Sequence, residues 1–306
     1  MSKSVCRLFC RASRFKFLSA PILLFLLILS AGKSLSSESE SCGVPGDYGE
    51  VVCRYNEKSS NHLYVIGIAH RDSLTRSNGS LTPRVQAEVY KIGEWLIRNQ
   101  GVELLLPEGF FVTDPNRPPE KTSISNALVA APQELDMGYL ERRFSNGRQF
   151  VNAEMLLRSN FPLLLRQVED KDLYQAVFEN IRLLAESSGS MEKNFLIRSE
   201  LDYQQKRRVG AMLQRIPAIV NDEFRQGRIG SRKAVFTIGL SHVADIINYL
   251  RENRVSVLSP FFLPLKHEDY IDELTLAKED FGISIILPRT LRNDHEVMER
   301  NNLKAF

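Results

Sequence analysis

A seven-residue pattern occurs twice in this chain and restricts its fold more than any other feature. Tyr64-Val65-Ile66-Gly67-Ile68-Ala69-His70 is matched by Phe236-Thr237-Ile238-Gly239-Leu240-Ser241-His242: an apolar run, Ile-Gly, two small or apolar residues, then His. The resemblance continues beyond each His. Two segments with helical character end in Arg98-Asn99-Gln100-Gly101 and Arg251-Glu252-Asn253-Arg254. Val102-Glu103-Leu104-Leu105-Leu106-Pro107 and Val255-Ser256-Val257-Leu258-Ser259-Pro260 come next. Short apolar runs punctuated by Gly and Pro suit buried strands, and alternation with helices suits a largely parallel sheet. The expected fold is therefore α/β (α+β), with a central mixed sheet built from two pseudo-repeated strand–helix–strand halves. A His at the carboxyl end of each of two parallel strands would point into one crevice, where open α/β sheets place ligands.

The remaining pattern divides the chain. Strands are expected at 50–55, 63–68, 102–106 and 283–287. A helix is expected from Pro83, with Thr82 as a possible cap and Gly101 as its end. From about 123 to 230 strand signals give way to amphipathic helical patterns at 154–157, 163–186, 191–213 and 217–226, broken at Ser187-Ser188-Gly189-Ser190. This block reads as a helical insert within a single domain spanning 50–292. Residues 33–49 read as a polar linker and small loop, and 293–306 as a frayed polar tail.

Residues 1–32 hold Lys3, Arg7, Arg11, Arg14 and Lys16 with no acid, then an apolar run at 22–29 and Ser30-Ala31-Gly32. This has the layout of a secretory signal peptide, or of an uncleaved N-terminal anchor associating with a membrane through residues 15–31. The expected location is outside the cytoplasm: periplasmic or extracellular, or anchored to the outer face of the inner membrane. The net charge of +3 falls to −2 once the five basic residues of the leader are set aside. No basic block remains, which excludes an electrostatic case for nucleic acid. Cys42 and Cys53 flank the turn-rich Gly43-Val44-Pro45-Gly46-Asp47-Tyr48-Gly49 and could close a disulfide in an oxidising compartment, or stay as two thiols.

His70, Glu108 and His242 each follow a predicted strand, so they could converge. Imidazoles and a carboxylate can ligate a divalent ion or move protons near neutral pH. Asp72 is either a second carboxylate of the crevice or a loop residue. Gly67 and Gly239, three residues before each His, permit close packing or an unusual turn. His62, His267 and His295 read as solvated.

The two G-x-x-H motifs and the Glu closing Leu104-Leu105-Leu106-Pro107-Glu108 resemble the TraB/GumN/Tiki families, within a wider group of erythromycin esterase-like and ChaN-like haem-binding proteins. The likeness covers roughly residues 50–260. It implies a metal-dependent hydrolase, peptidase- or esterase-like, in which His70, Glu108 and His242 hold Mn, Co or Zn or activate water on a peptide or small-molecule substrate. It also implies an Arg four residues before a Met, loosely met by Arg208 and Met212. Arg208 would then bind an anionic substrate group; the alternative is a surface cation in Lys206-Arg207-Arg208. Two features depart from the family: Arg71-Asp72 follows His70 where many members have Val, and Pro107 and Gly109 flank the acid. The resemblance leaves a non-catalytic haem- or peptide-binding module as the alternative function.

Overall fold

The computed structural model describes residues 43–69, 79–109, 134–146, 151–187, 190–260 and 267–306, all within the compact unit Cys42–Phe306. At its centre lies strand β2 (Asn61–Ile68), buried at every position from His62 onward. The continuous apolar run dictates this, because a strand covered on both faces needs no polar alternation. β2 is flanked by two parallel partners, β5 (Lys233–Gly239) and β8 (Phe281–Pro288). β3 (Leu104–Pro107) runs parallel to β5, and the two-residue β4 (Leu164–Leu165) runs parallel to β3. β1 (Gly49–Tyr55) closes the opposite edge antiparallel to β8. The molecule is thus mixed α/β, with a six-stranded sheet in the order β1-β8-β2-β5-β3-β4.

Nine helices surround the sheets among the described residues: α1 (Thr82–Gln100), α2 (Met137–Ser145), α3 (Ala153–Asn160), α4 (Lys171–Glu186), α5 (Met191–Arg225), α6 (Val243–Glu252), α7 (Thr275–Lys278), α8 (Arg289–Arg292) and α9 (His295–Arg300). Polar side chains start several of them. Asp136, Asn152, Asp170 and Ser190 each accept a first-turn N–H. Gly101 ends α1 in the left-handed conformation at φ 66°. The α1 cap position is Leu81, without a side-chain cap; Thr82 lies within the first turn and its N–H donates to Gly79 O.

α1 and α6 cover opposite faces of the sheet. The Tyr64 hydroxyl donates to Gln100 at the end of α1 at 3.1 Å, whereas a Cβ at Gly67 would press on Val243 of α6. Positions 64 and 67 differ by an odd number, so they point to opposite sides of the strand. The chain leaves β2 for β3 on one side of the sheet and leaves β5 for β8 on the other. β2 and β5 are adjacent, and a crevice opens between such strands at their carboxyl ends.

Several elements differ from expectation. β6 (Arg254–Val257), the strand after the second helix, leaves the main sheet and pairs antiparallel with β7 (Tyr270–Glu273). β5 already has β2 and β3 on its two edges, so β6 has no place beside it. The helical block contains β4, and the expected helix at 163–186 begins only at Lys171. The expected helices at 191–213 and 217–226 are one 35-residue helix that runs through the buried Pro217. An interior proline costs about 3 kcal/mol or more, which the packing of this face must offset. The tail is not frayed: α9 forms, and Met298 and Leu303 are buried in the core.

α5 and β6 approach closely at Gly210, where an added Cβ would overlap Val255 Cγ1. Alanine there gains about 1 kcal/mol of helix propensity and loses about 1–3 kcal/mol to overpacking against a stiff β-branched neighbour. Gly210→Ala is therefore expected to destabilise by roughly 1 kcal/mol, and Val255→Ala in the same chain to cost less than it does alone. Chemical denaturation of the two single variants and the double variant measures this.

His62 is buried, not solvated. Its Nε2 lies 2.9 Å from Ser284 Oγ, and its ring packs over Gly282, its register partner in β8. Burial, followed by the charges of Lys233 and Arg54, lowers its pKa from 6.5 to about 4. Between these values the unfolded chain binds a proton that the folded chain does not. This contribution is therefore full above pH 6.5 and lost as pH falls toward 4, on the order of 3 kcal/mol. Urea unfolding at pH 7 and 4.5 is expected to show that loss in the native sequence and much less of it in His62→Gln. His267 also departs from expectation: its Nε2 lies 2.7 Å from Glu200 Oε2 and its ring stacks on Tyr203 at 4.7 Å. His295 is exposed.

Candidate functional site

Four side chains meet beyond the carboxyl ends of β3 and β5. The apolar run of β3 delivers Glu108 to the sheet edge, where its N–H donates to Thr237 O at 2.8 Å and prolongs the parallel pairing by one residue. Its carboxylate reaches across to β5: Oε2 accepts the Gly239 N–H at 2.5 Å. Oε1 accepts from Arg208 Nη2 at 2.8 Å and lies 3.4 Å from His242 Nε2. His242 ends a single 3-10 turn, Leu240–His242, and occupies the cap position of α6.

Arg208 comes from α5. It binds Glu169 with Nε at 3.1 and 2.9 Å and through Nη2, and stands over the Tyr174 ring at 5.6 Å. Glu169 follows β4 and is also tied to the turn after β3: its Oε1 accepts the Gly109 N–H at 3.0 Å, and the Gln167 amide donates to Gly109 O. Gly109 has φ 110°, a conformation that favours glycine, so the turn that presents Glu108 needs this residue. Arg215 donates to Glu169 O at 2.7 Å.

All four groups are buried: Glu169 is 2% exposed, Arg208 5% and His242 6%, and the Glu108 side chain 8%. Desolvation alone would lower the Arg208 pKa, but the Glu169 hydrogen bond and the charges of Glu108 and Glu169 hold it above the ordinary value. Two carboxylates and one guanidinium leave the cluster formally at −1. On α6, Asp245 sits one turn beyond His242; burial raises its pKa, opposed by Lys206 and His242.

The structure brings together Glu108, His242 and Arg208 of the sequence-derived set. It engages Arg208 as a buried bridge between two carboxylates, neither on the surface nor free. His70 and Asp72 lie outside the described residues, as does Cys42; Cys53 is a half-buried free thiol in β1. Gly67 serves close packing, since a Cβ there would press on Leu287, Val243 and Leu240. Glu169 was missed. Its only sequence signal is an acid four residues after the apolar Phe161-Pro162-Leu163-Leu164-Leu165, within a block that reads as helical.

As donors, Glu108 and His242 suit a tetrahedral ion. Bonds of about 2.0–2.2 Å place neighbouring ligand atoms about 3.3–3.6 Å apart, close to the spacing seen here. No group of three His, Cys, Asp or Glu able to hold a metal forms among the described residues. Comparison with family models, with curated proteins and with solved structures gives no match.

Proposed function

We propose that this protein is an exported hydrolase acting on a peptide or ester carbonyl, with Glu108 and His242 as its working pair. The observation that supports this most is the buried Oε1–Nε2 approach of 3.4 Å at the carboxyl ends of adjacent parallel strands. In this reading the His242 imidazole takes a proton from water as the water oxygen attacks the carbonyl carbon, while Nε2 faces Glu108. It then returns that proton to the leaving nitrogen or oxygen, and Glu108 stabilises the imidazolium between the two events. Arg208 and the Gly239 N–H hold Glu108 in place, so its orientation costs nothing at the moment of reaction. If a divalent ion is bound, His70, Glu108 and His242 would hold it, and it would supply a polarised carbonyl and an activated water.

The same reading covers the leader at 1–32 as an export signal or anchor, and the strand–helix units as duplicated halves around a helical insert. It is supported by Gly67 and Gly239 lying close to the carboxyl ends of adjacent parallel strands, one residue apart in register. Resemblance to the TraB/GumN/Tiki families supports it as well. Incubating the protein with a peptide library, with Mn²⁺ or Co²⁺ and with a chelator, tests it. Cleavage that needs the ion assigns Glu108 and His242 as donors, and cleavage that survives the chelator assigns them as an acid–base pair. No cleavage under either condition contradicts the proposal.

A non-catalytic module that binds haem or a peptide is the second reading. It is favoured by the way both Glu108 oxygens are already held. A Soret band on adding haemin, or tight peptide binding with the peptide recovered intact, would establish it.

A further inference from the structure

The crevice at the carboxyl ends of β2 and β5 encloses about 420 Å³, within the range of small-molecule sites. Ile68 and Leu240 form part of its apolar floor, and Ser80, Thr82, Ser241 and Asn301 offer polar groups around it. The charge of this lining is one-sided. Arg300 is the one ionic side chain, and no carboxylate is found, among the described residues that line it. Arg300 forms no ion pair among the described residues, although most of the described arginines do so. Its position is fixed from below, because Met298 and Leu303 on either side of it are buried in the core. The crevice also receives the start of α1, a 19-residue helix whose Leu81 cap supplies no side-chain acceptor and whose first turn has no acid. The positive end of that helix adds to the field of Arg300.

We propose that this crevice binds a small ligand through an oxyanion, with Arg300 as the residue that recognises it. The ligand is carboxylate- or phosphate-bearing, and its apolar part lies over Ile68 and Leu240. The inference rests on the reading of this crevice as the substrate site of the hydrolase, and it names the substrate class: one with an anionic end. Gly239 lines the crevice and donates its N–H to Glu108, so this backbone residue links the crevice to the proposed working pair.

Isothermal titration of the full chain tests the proposal without relying on turnover. Three probes suffice: an acetylated tripeptide with a free C-terminal carboxylate, the same tripeptide amidated, and inorganic phosphate. The free carboxylate is expected to bind about 10-fold or more tightly than the amide, as one charge-assisted contact implies. Arg300→Gln should reduce the carboxylate peptide to the level of the amide, and Arg300→Lys should recover part of the difference. Because Arg300 is exposed, neither change threatens the fold. Phosphate that displaces the peptide and binds more tightly assigns the site to a phosphorylated ligand; phosphate that does not compete assigns it to a carboxylate. Equal affinity for acid and amide, unchanged binding in Arg300→Gln, or binding of none of the probes overturns the proposal. Carboxylate-selective binding with no cleavage would refute the hydrolase reading alone.

Discussion

Arg208→Met is expected to lower the free energy of unfolding by about 3–5 kcal/mol, the cost of leaving a buried charge without its partner. Arg208 bridges Glu169 and Glu108, and Glu169 is 2% exposed. Met fills a similar volume, so the loss is electrostatic and not a cavity effect. Pairing the change with Glu169→Met should recover most of it, because removing both members of a buried pair is often close to neutral. Urea denaturation of the two single variants and the double variant checks this. A loss under 1 kcal/mol in Arg208→Met would show that water reaches these carboxylates and that the cluster is not the closed unit described.

The second large effect is on activity. If the protein acts as proposed, Glu108→Gln is expected to reduce kcat/KM by about 10²–10⁴, because the His242 imidazolium loses the carboxylate that stabilises and orients it. It should nevertheless alter stability little. The amide oxygen can still accept from Arg208 or Gly239, and the formal charge of the cluster moves from −1 to neutral. The two variants therefore separate the two proposed roles of the network: Arg208 and Glu169 holding the site together, and Glu108 and His242 acting on the substrate. If Glu108→Gln kept full activity on a substrate that the native chain cleaves, Glu108 would belong with the holding pair.

How much of this was legible in the sequence follows from the range over which each signal acts. β2, β5, β3 and β8 were readable because a strand buried on both faces is apolar at nearly every position. Glu108 and His242 were readable because each follows such a run directly, and their strands prove to be neighbours. β4 was not readable: two residues carry no periodicity, and they joined the sheet only because β3 offered a free edge. Glu169 was lost with it, although it is the most buried member of the cluster. Arg208 lay in a run of cations on a helix, and its burial depends on two acids supplied from other strands, which no local pattern records. His62 was misread for the same reason. It borders a polar turn in sequence, but Ser284 and Gly282 of a strand more than 200 residues away enclose it. The departure of β6 from the sheet likewise depends on which edges of β5 were already taken.

The central claim is that Glu108 and His242 act as one unit, and a kinetic double-mutant cycle measures that directly. kcat/KM is determined on one cleavable peptide for the native chain, Glu108→Gln, His242→Ala and the double variant. Residues that work together are grossly non-additive, so the double variant should be scarcely slower than the worse single variant. Losses that multiply across the two sites would show that the two groups act independently and would contradict the account.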